Sequence, residues 1–221
     1  TNRPIAGVCN VLAKTSEKGA TAFIVDTTNP GFRVGKELDK LGCRSSPTAE
    51  IALVDCRVPG DSVLGDVDAA LWQVAFECFD WERTVMIASG IGGMQSTLNT
   101  SIAYAKERKQ FGRPIASFQA IAHKLAEMKI RLEACRTAVY RAAYLKQTGV
   151  EHMMEASIAK YLVGEYSVLN ALDAIQIHGG YGYLRDYGVE RSLRDAKLGS
   201  IGGGTSEIQK LIITRILLGD C

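Results

Sequence analysis

The sequence predicts an α+β chain, with strands first and a helical bundle after them. Three observations carry this. Over residues 1–66, β-rich runs alternate with turn clusters. Pro4, Pro30, Pro47 and Pro59 all fall in that part, at strand ends and turns where proline is tolerated. From residue 67 the apolar spacing becomes helical, and long amphipathic segments with short links indicate a bundle. The expected domains are therefore 1–66 and 67–221.

Taken in order, Val8–Lys14 and Ala20–Asp26 are short β-rich runs joined by a turn cluster at 15–19. The runs 49–54 and 56–58 follow, interrupted only at Asp55, and read as one strand. The chain enters its first strand abruptly and without an initiator Met, which suggests a fragment cut inside a sheet. Leu71, Val74, Ala75 and Cys78 then fall at i, i+3, i+4 and i+7, one apolar helical face. That helix continues through Ile87, Ile91, Met94 and Leu98 to Tyr104. Gly90, Gly92 and Gly93 each cost it about 1 kcal/mol, so close packing against a helix or a cofactor is expected there. After a break at Phe111-Gly112-Arg113-Pro114, helices are expected over 117–147, 152–178 and 189–196. The helix over 152–178 stops at Gly179-Gly180.

The last helix opens from Ile201-Gly202-Gly203-Gly204-Thr205-Ser206-Glu207. Three consecutive glycines make a loop whose backbone can pass close to something flat or bulky. Thr205 is a natural N-cap for the apolar run Ile208, Leu211, Ile212 and Ile213. The unpaired amides of such a helix start suit an anionic group.

Composition narrows the function classes. A net charge of +2 gives no field for nucleic acid. No apolar run reaches membrane-spanning length, and the opening TNRPIAGV lacks the pattern of a signal peptide. The six cysteines, Cys9, Cys43, Cys56, Cys78, Cys135 and Cys221, form no CxxC pair and no metal-ligand spacing with histidine. They read as reduced, buried thiols in an intracellular protein, and no metal is expected.

Three constellations can carry chemistry. Arg108-Lys109-Gln110-Phe111-Gly112 ends a helix with a cation, an amide and an aromatic ring, able to hold a phosphate and a heterocycle. A plain helix terminus explains it as well. The stretch 173–182, DAIQIHGGYG, ends a helix at a glycine pair; His178 there is either a base or a partner of the helix dipole. Neither His123 nor His152 has a triad-like neighbour in sequence. The third constellation is Phe79-Asp80-Trp81-Glu82-Arg83. Three and four residues from Glu82 lie Cys78, Phe79, Val85 and Met86, which puts the carboxylate on an apolar stripe where it is expensive. Such a Glu is either paired across the bundle or functional. Asp80, with Arg83 and Glu77 at three residues' distance, lies on a polar face.

Together these stretches resemble the acyl-CoA dehydrogenase family. KLGCRSSPTAEIALVDCRVP is similar to the family's middle β-domain, and FDWERTVMIASGIGG, YAKERKQFGRPIASFQAIAHKLAEM, ALDAIQIHGGYGYLRDYGVERSLRDAK and IGGGTSEIQKLIITRILLG to successive parts of its C-terminal domain. The resemblance implies the second half of a middle β-barrel at 1–66 and a C-terminal four-helix bundle at 67–221. It implies FAD as cofactor, an acyl-CoA substrate oxidised to the 2,3-enoyl thioester, and electron-transfer flavoprotein as electron acceptor. A homo-oligomer, a tetramer, in the bacterial cytoplasm or mitochondrial matrix also follows.

Position by position, the resemblance assigns Arg108, Gln110 and Phe111 to the adenine-diphosphate part of an FAD held by the neighbouring subunit. Phe118, Gln119, Gln176, Ile177, His178, Gly179 and Gly180 fall on other FAD-contacting segments, as do Thr205, Ser206 and Glu207. Asp80, Arg83, Gly203 and Gly204 match positions near the substrate. One departure matters most. Where most members carry a glutamate base in the loop, this chain has Gly203. Isovaleryl-CoA dehydrogenases show a similar gap and take the base from a D-x-E-R string in the first bundle helix. Here that string is Asp80-Trp81-Glu82-Arg83, and Glu82 becomes the expected base. A flavoenzyme acting on a carrier-protein acyl or prolyl thioester, and a catalytically inert paralogue serving as a scaffold, are the alternatives.

Overall fold

A computed structural model of the protein describes residues 1–219. The chain forms two compact units, Thr1–Phe79 and Asp80–Cys221. The first is built on sheet. Strands β1 (Val8–Lys14) and β2 (Ala20–Asp26) pair antiparallel from Val8↔Asp26 to Lys14↔Ala20, and β5 (Val63–Leu64) joins the other edge of β2. Strands β3 (Phe32–Glu37) and β4 (Ala49–Leu53) form a separate antiparallel pair. Among the described residues neither sheet closes into a barrel. A small core of Cys9, Val25 and Phe32 holds this unit.

Strands β1 and β2 are where the sequence puts them, because alternating β-branched and apolar residues flank a turn. Strand β3 was not expected. Only Phe32 of it is buried, and Gly35 breaks its alternation. The expected single strand over 49–58 stops at Leu53, since Asp55 adopts φ +48° and turns the chain away.

The first expected helix is also different. It runs as a π-helical turn (Leu71–Ala75), α1 (Phe76–Trp81), a second π-helical turn (Glu82–Met86) and then α2 (Ala88–Glu107). In π winding each amide bonds five residues back instead of four, so spacings of three and four no longer mark one face. The residues expected to bury Glu82 are not themselves buried: Cys78, Phe79, Val85 and Met86 are all exposed. The glycines divide similarly. A Cβ at Gly90 would meet Val163 at 2.5 Å, whereas Gly92 and Gly93 face nothing within 4 Å.

The remaining elements are a two-residue-strand hairpin, β6 (Lys109–Gln110) and β7 (Arg113–Pro114), then α3 (Gln119–Gln147), α4 (Met153–His178), α5 (Val189–Ala196) and α6 (Ser206–Leu218). Helix α4 is central and packs on α2, α3, α5 and α6. Met128, Leu132 and Cys135 of α3 are fully buried in the core they share. Burial pushes the Cys135 thiol up to about 12. Cys9 is buried as expected, but Cys43 and Cys56 are half-buried and Cys78 is exposed; Cys221 lies outside the described residues.

Helices α3 and α4 are tied by Asp173, which accepts from Lys124 Nζ at 2.8 Å and Arg131 Nη1 at 2.6 Å. Burial pushes the Asp173 carboxyl upward, but the bonds from Arg131 and Lys124 outweigh it and hold the group below its ordinary 3.8. A lowered folded-state value stabilises the fold above the unfolded value, and that contribution is lost as pH falls through the folded one. Asp173→Asn is expected to cost about 1–3 kcal/mol at neutral pH. Urea unfolding should show the gap from the parent closing as pH drops below 3.8; a gap that stays constant with pH means the ion pairs contribute nothing.

Candidate active site

The loop over 199–205, which begins within a 3-10 turn (Lys197–Ser200) and ends at α6, is built on α4. Gly164 of α4 lies so close that a Cβ there would sit 2.6 Å from the Gly199 carbonyl oxygen. Thr205 caps α6 as expected, its hydroxyl accepting from the Ile208 amide at 3.3 Å.

Three side chains from three elements hold the loop by its carbonyls. Lys160 Nζ on α4 donates to Gly199 O at 2.5 Å, Arg83 Nε to Gly203 O at 3.3 Å, and Gln209 Nε2 on α6 to Gly204 O at 3.0 Å. A peptide unit is planar and trans, so its C=O and the next N–H point in opposite directions. Pulling the Gly203 carbonyl toward Arg83 thus turns the Gly204 amide the other way. Gly203 and Gly204 adopt φ +65° and +96°, the left-handed region that a side chain resists.

Glu82 reaches into this loop. Its Oε2 lies 3.2 Å from the point where a Cβ on Gly203 would stand, and Lys160 Cε lies 3.8 Å from the same point. Arg83 Nη2 is 3.3 Å from the corresponding point on Gly204. Glu82, Arg83, Lys160, Gly203 and Gly204 are therefore one cluster. Burial lowers the pKa of Lys160, Arg83 adds to that, and Glu165 and Glu82 oppose it. Burial likewise pulls the Arg83 guanidinium down against the support of Glu82 and Asp80.

Asp80 points elsewhere. Its carboxylate accepts from Lys146 Nζ and lies 2.9 Å from His152 Nε2, while His152 Nδ1 faces the Val150 carbonyl at 2.9 Å. His152 thus has a carboxylate neighbour after all, from a residue 72 positions away.

A second feature is a cleft of about 510 Å³ at the far end of α2 and α4. Arg108, Gln110, Phe111, Phe118, Ile177, His178, Gly179 and Gly180 all line it. The expected break at 111–114 is a tight hairpin turn. Phe111 and Gly112 have φ +50° and +77°, as a two-residue turn with both central residues left-handed requires. Phe111 is 91% exposed at its tip. Arg108 lies over the Tyr181 ring and Arg113 over Phe118, at 5.5 and 4.2 Å. His178 is buried, its Nδ1 donating to the Ala174 carbonyl at 2.8 Å and its ring stacked on Tyr104.

Gln119 and Gln176 are exposed and do not line the cleft, and neither do Thr205, Ser206 and Glu207. Ser206 is buried and donates to Glu165 Oε1 at 2.5 Å; Glu207 is exposed at the start of α6. Sequence reasoning missed Lys160, Gln209, Tyr104 and Tyr181. A signal existed for the first: Lys160 interrupts the apolar run Ile158, Ala159, Tyr161, Leu162, Val163.

Residues 72–218 match the sequence profile of the acyl-CoA dehydrogenase C-terminal domain. The chain belongs to the acyl-CoA dehydrogenase family. It is 48% identical over 198 residues to a probable acyl-CoA dehydrogenase, YngJ, of Bacillus subtilis (strain 168), covering 90% of this chain and 52% of that protein. It is 42% identical to the mitochondrial isovaleryl-CoA dehydrogenase of Oryza sativa subsp. japonica, over 98% of this chain and 54% of the relative. The crystal structure of the prolyl acyl carrier protein oxidase AnaB superposes with a TM-score of 0.94 at 36% identity, over 99% of this chain and 58% of that one. This member of the family thus spans somewhat over half the length of the relatives it matches.

The strained glycine in this family loop gives a direct test. Gly203→Ala forces a side chain into the left-handed region and against Glu82, and is expected to cost about 1–3 kcal/mol in chemical denaturation. An unchanged midpoint and slope would show that the loop backbone relaxes freely.

Proposed function

We propose that the protein is an FAD-dependent dehydrogenase of acyl thioesters, of isovaleryl type, in which Glu82 removes the α-proton of a short or branched acyl-CoA. The observation that carries this is the placement of Glu82 Oε2 at 3.2 Å from the missing Cβ of Gly203. A carboxylate from the first helix reaches the position that most of the family fills from the loop. Because Gly203 brings no side chain, the space beside it is left to Glu82 and to a branched acyl group.

The cleft's chemistry fits the adenine-diphosphate part of FAD. Arg108 is a cation for phosphate, Gln110 offers donor and acceptor, and Phe118 and Tyr181 give flat faces. Cβ atoms on Gly179 and Gly180 would meet nothing within 4 Å, so that backbone is open to close approach. Arg108, Gln110 and Phe111 would hold the adenine-diphosphate part of a neighbouring subunit's cofactor, with Phe118, Ile177, His178, Gly179 and Gly180 on the same cleft, while Gln119, Gln176, Thr205, Ser206 and Glu207, outside the cleft, would meet other parts of FAD. A bound flavin supplies the hydride acceptor for the β-hydrogen. Glu82 takes the α-proton, Arg83 holds the Gly203 carbonyl, and the Gly204 amide is turned from Arg83 toward the acyl site.

On this reading, α2, α3, α4 and α6 are the four-helix bundle and the assembly is a homotetramer. Electron-transfer flavoprotein receives the electrons, and the setting is bacterial cytoplasm or mitochondrial matrix. Among the described residues no helix is long and apolar enough to cross a membrane. The second reading, a carrier-protein thioester such as a prolyl group, is favoured by the likeness to AnaB and uses the same base. A scaffold has no need of three donors aimed at three carbonyls of one glycine loop.

Glu82→Gln keeps the shape and removes the base. Turnover of acyl-CoA with an artificial electron acceptor should fall by roughly 10²–10⁴-fold with flavin still bound; a near-parental rate makes Glu82 structural. Comparing acyl-CoA with acyl-carrier substrates decides between the first two readings. Arg108→Ala should lower the flavin-to-protein ratio without changing helix content by circular dichroism, and an unchanged ratio removes Arg108 from the cofactor site.

A further inference from the structure

Lys160 has a role that neither the cofactor cleft nor the base accounts for. It is 4% exposed, two turns into α4. An ammonium buried to that degree is stable only where acceptors and counter-charges are supplied by the fold. Its acceptor is the neutral Gly199 carbonyl. The carboxylates that support its charge are Glu165 and Glu82, and Arg83 opposes it. Glu165 already accepts from Ser206.

The backbone around it is built for the same contact. Gly164, one turn along α4, lets the Gly199 peptide lie directly on the helix, and Lys160 then ties that peptide down. From there the chain runs through only three residues to Gly203, where Glu82 Oε2 and Lys160 Cε flank one point.

We propose that Lys160 is a positioning residue for the reaction: its buried ammonium, anchored on the Gly199 carbonyl, fixes the glycine loop against which the Glu82 carboxylate is set. This rests on the reading of Glu82 as base and adds to it a requirement for a second residue.

The test compares Lys160→Met, Lys160→Arg and Glu82→Gln in the flavin-loaded full-length enzyme on one acyl thioester. Lys160→Met should keep its flavin and KM within about twofold, and lose about tenfold or more in kcat, the scale of one lost charged hydrogen bond. Lys160→Arg, which keeps charge and donor, should recover a clear part of that loss. Amide hydrogen exchange over 199–205, read without substrate, should quicken in Lys160→Met. Parental kcat and parental exchange in Lys160→Met overturn the proposal, as does Lys160→Arg no better than Lys160→Met. If Glu82→Gln alone keeps full turnover, the reading of the base falls instead, and the exchange measurement still decides whether Lys160 holds the loop.

Discussion

Hydrogen bonds from Arg83, Lys160 and Gln209 to the carbonyls of Gly199, Gly203 and Gly204 give the glycine loop its shape. A glycine-rich segment has more conformations than any other stretch of comparable length, and left alone it would sample most of them. Each donor sits on a different element of the helical unit, so the loop is defined only once those elements have packed. The left-handed φ values at Gly203 and Gly204 follow from where the three donors pull. So does the direction of the amides between them.

Placing a carboxylate against such a loop from a helix, instead of from the loop itself, changes what must be rigid. A glutamate on the loop would move with it. Glu82 is carried by a π-helical turn, and π turns inside helices are recurrent at functional sites because they re-aim a side chain without ending the helix. The loop and the turn then have to be held separately and meet with little tolerance. On the role proposed for Lys160, that is the physical reason for burying a lysine and leaning on glycine–glycine contact between Gly164 and Gly199.

The cleft at the other end of α2 and α4 relies on a different device. Phe111 adopts a left-handed backbone at the tip of a two-residue turn, an unfavourable conformation for an aromatic residue. The turn is short enough to project the ring into solvent while Arg108 and Gln110 stay on the cleft wall. The two sites share one unit but no lining residue, and the core of α3 and α4, with its Asp173 ion pairs, keeps the helices that carry them in register.

Strands β1 and β2, helices α3 and α4 and the Thr205 cap were all legible in the sequence, because each depends on residues close together in the chain; that Glu82 lies by Gly203 was implied only by the family resemblance. The π turns were not legible: periodicity assumes α winding, so Phe79, Val85 and Met86 read as a buried stripe and are in fact exposed. Nor could spacing show that Asp80 meets Lys146 and His152, or that Lys160 and Gln209 hold the loop, since those partners lie far apart in sequence. By itself the sequence determined which family the chain belongs to and which residues are candidates for its chemistry. Only the tertiary structure decided which of them face one another, because that depends on helix packing that brings carbonyls and donors together from separate parts of the chain.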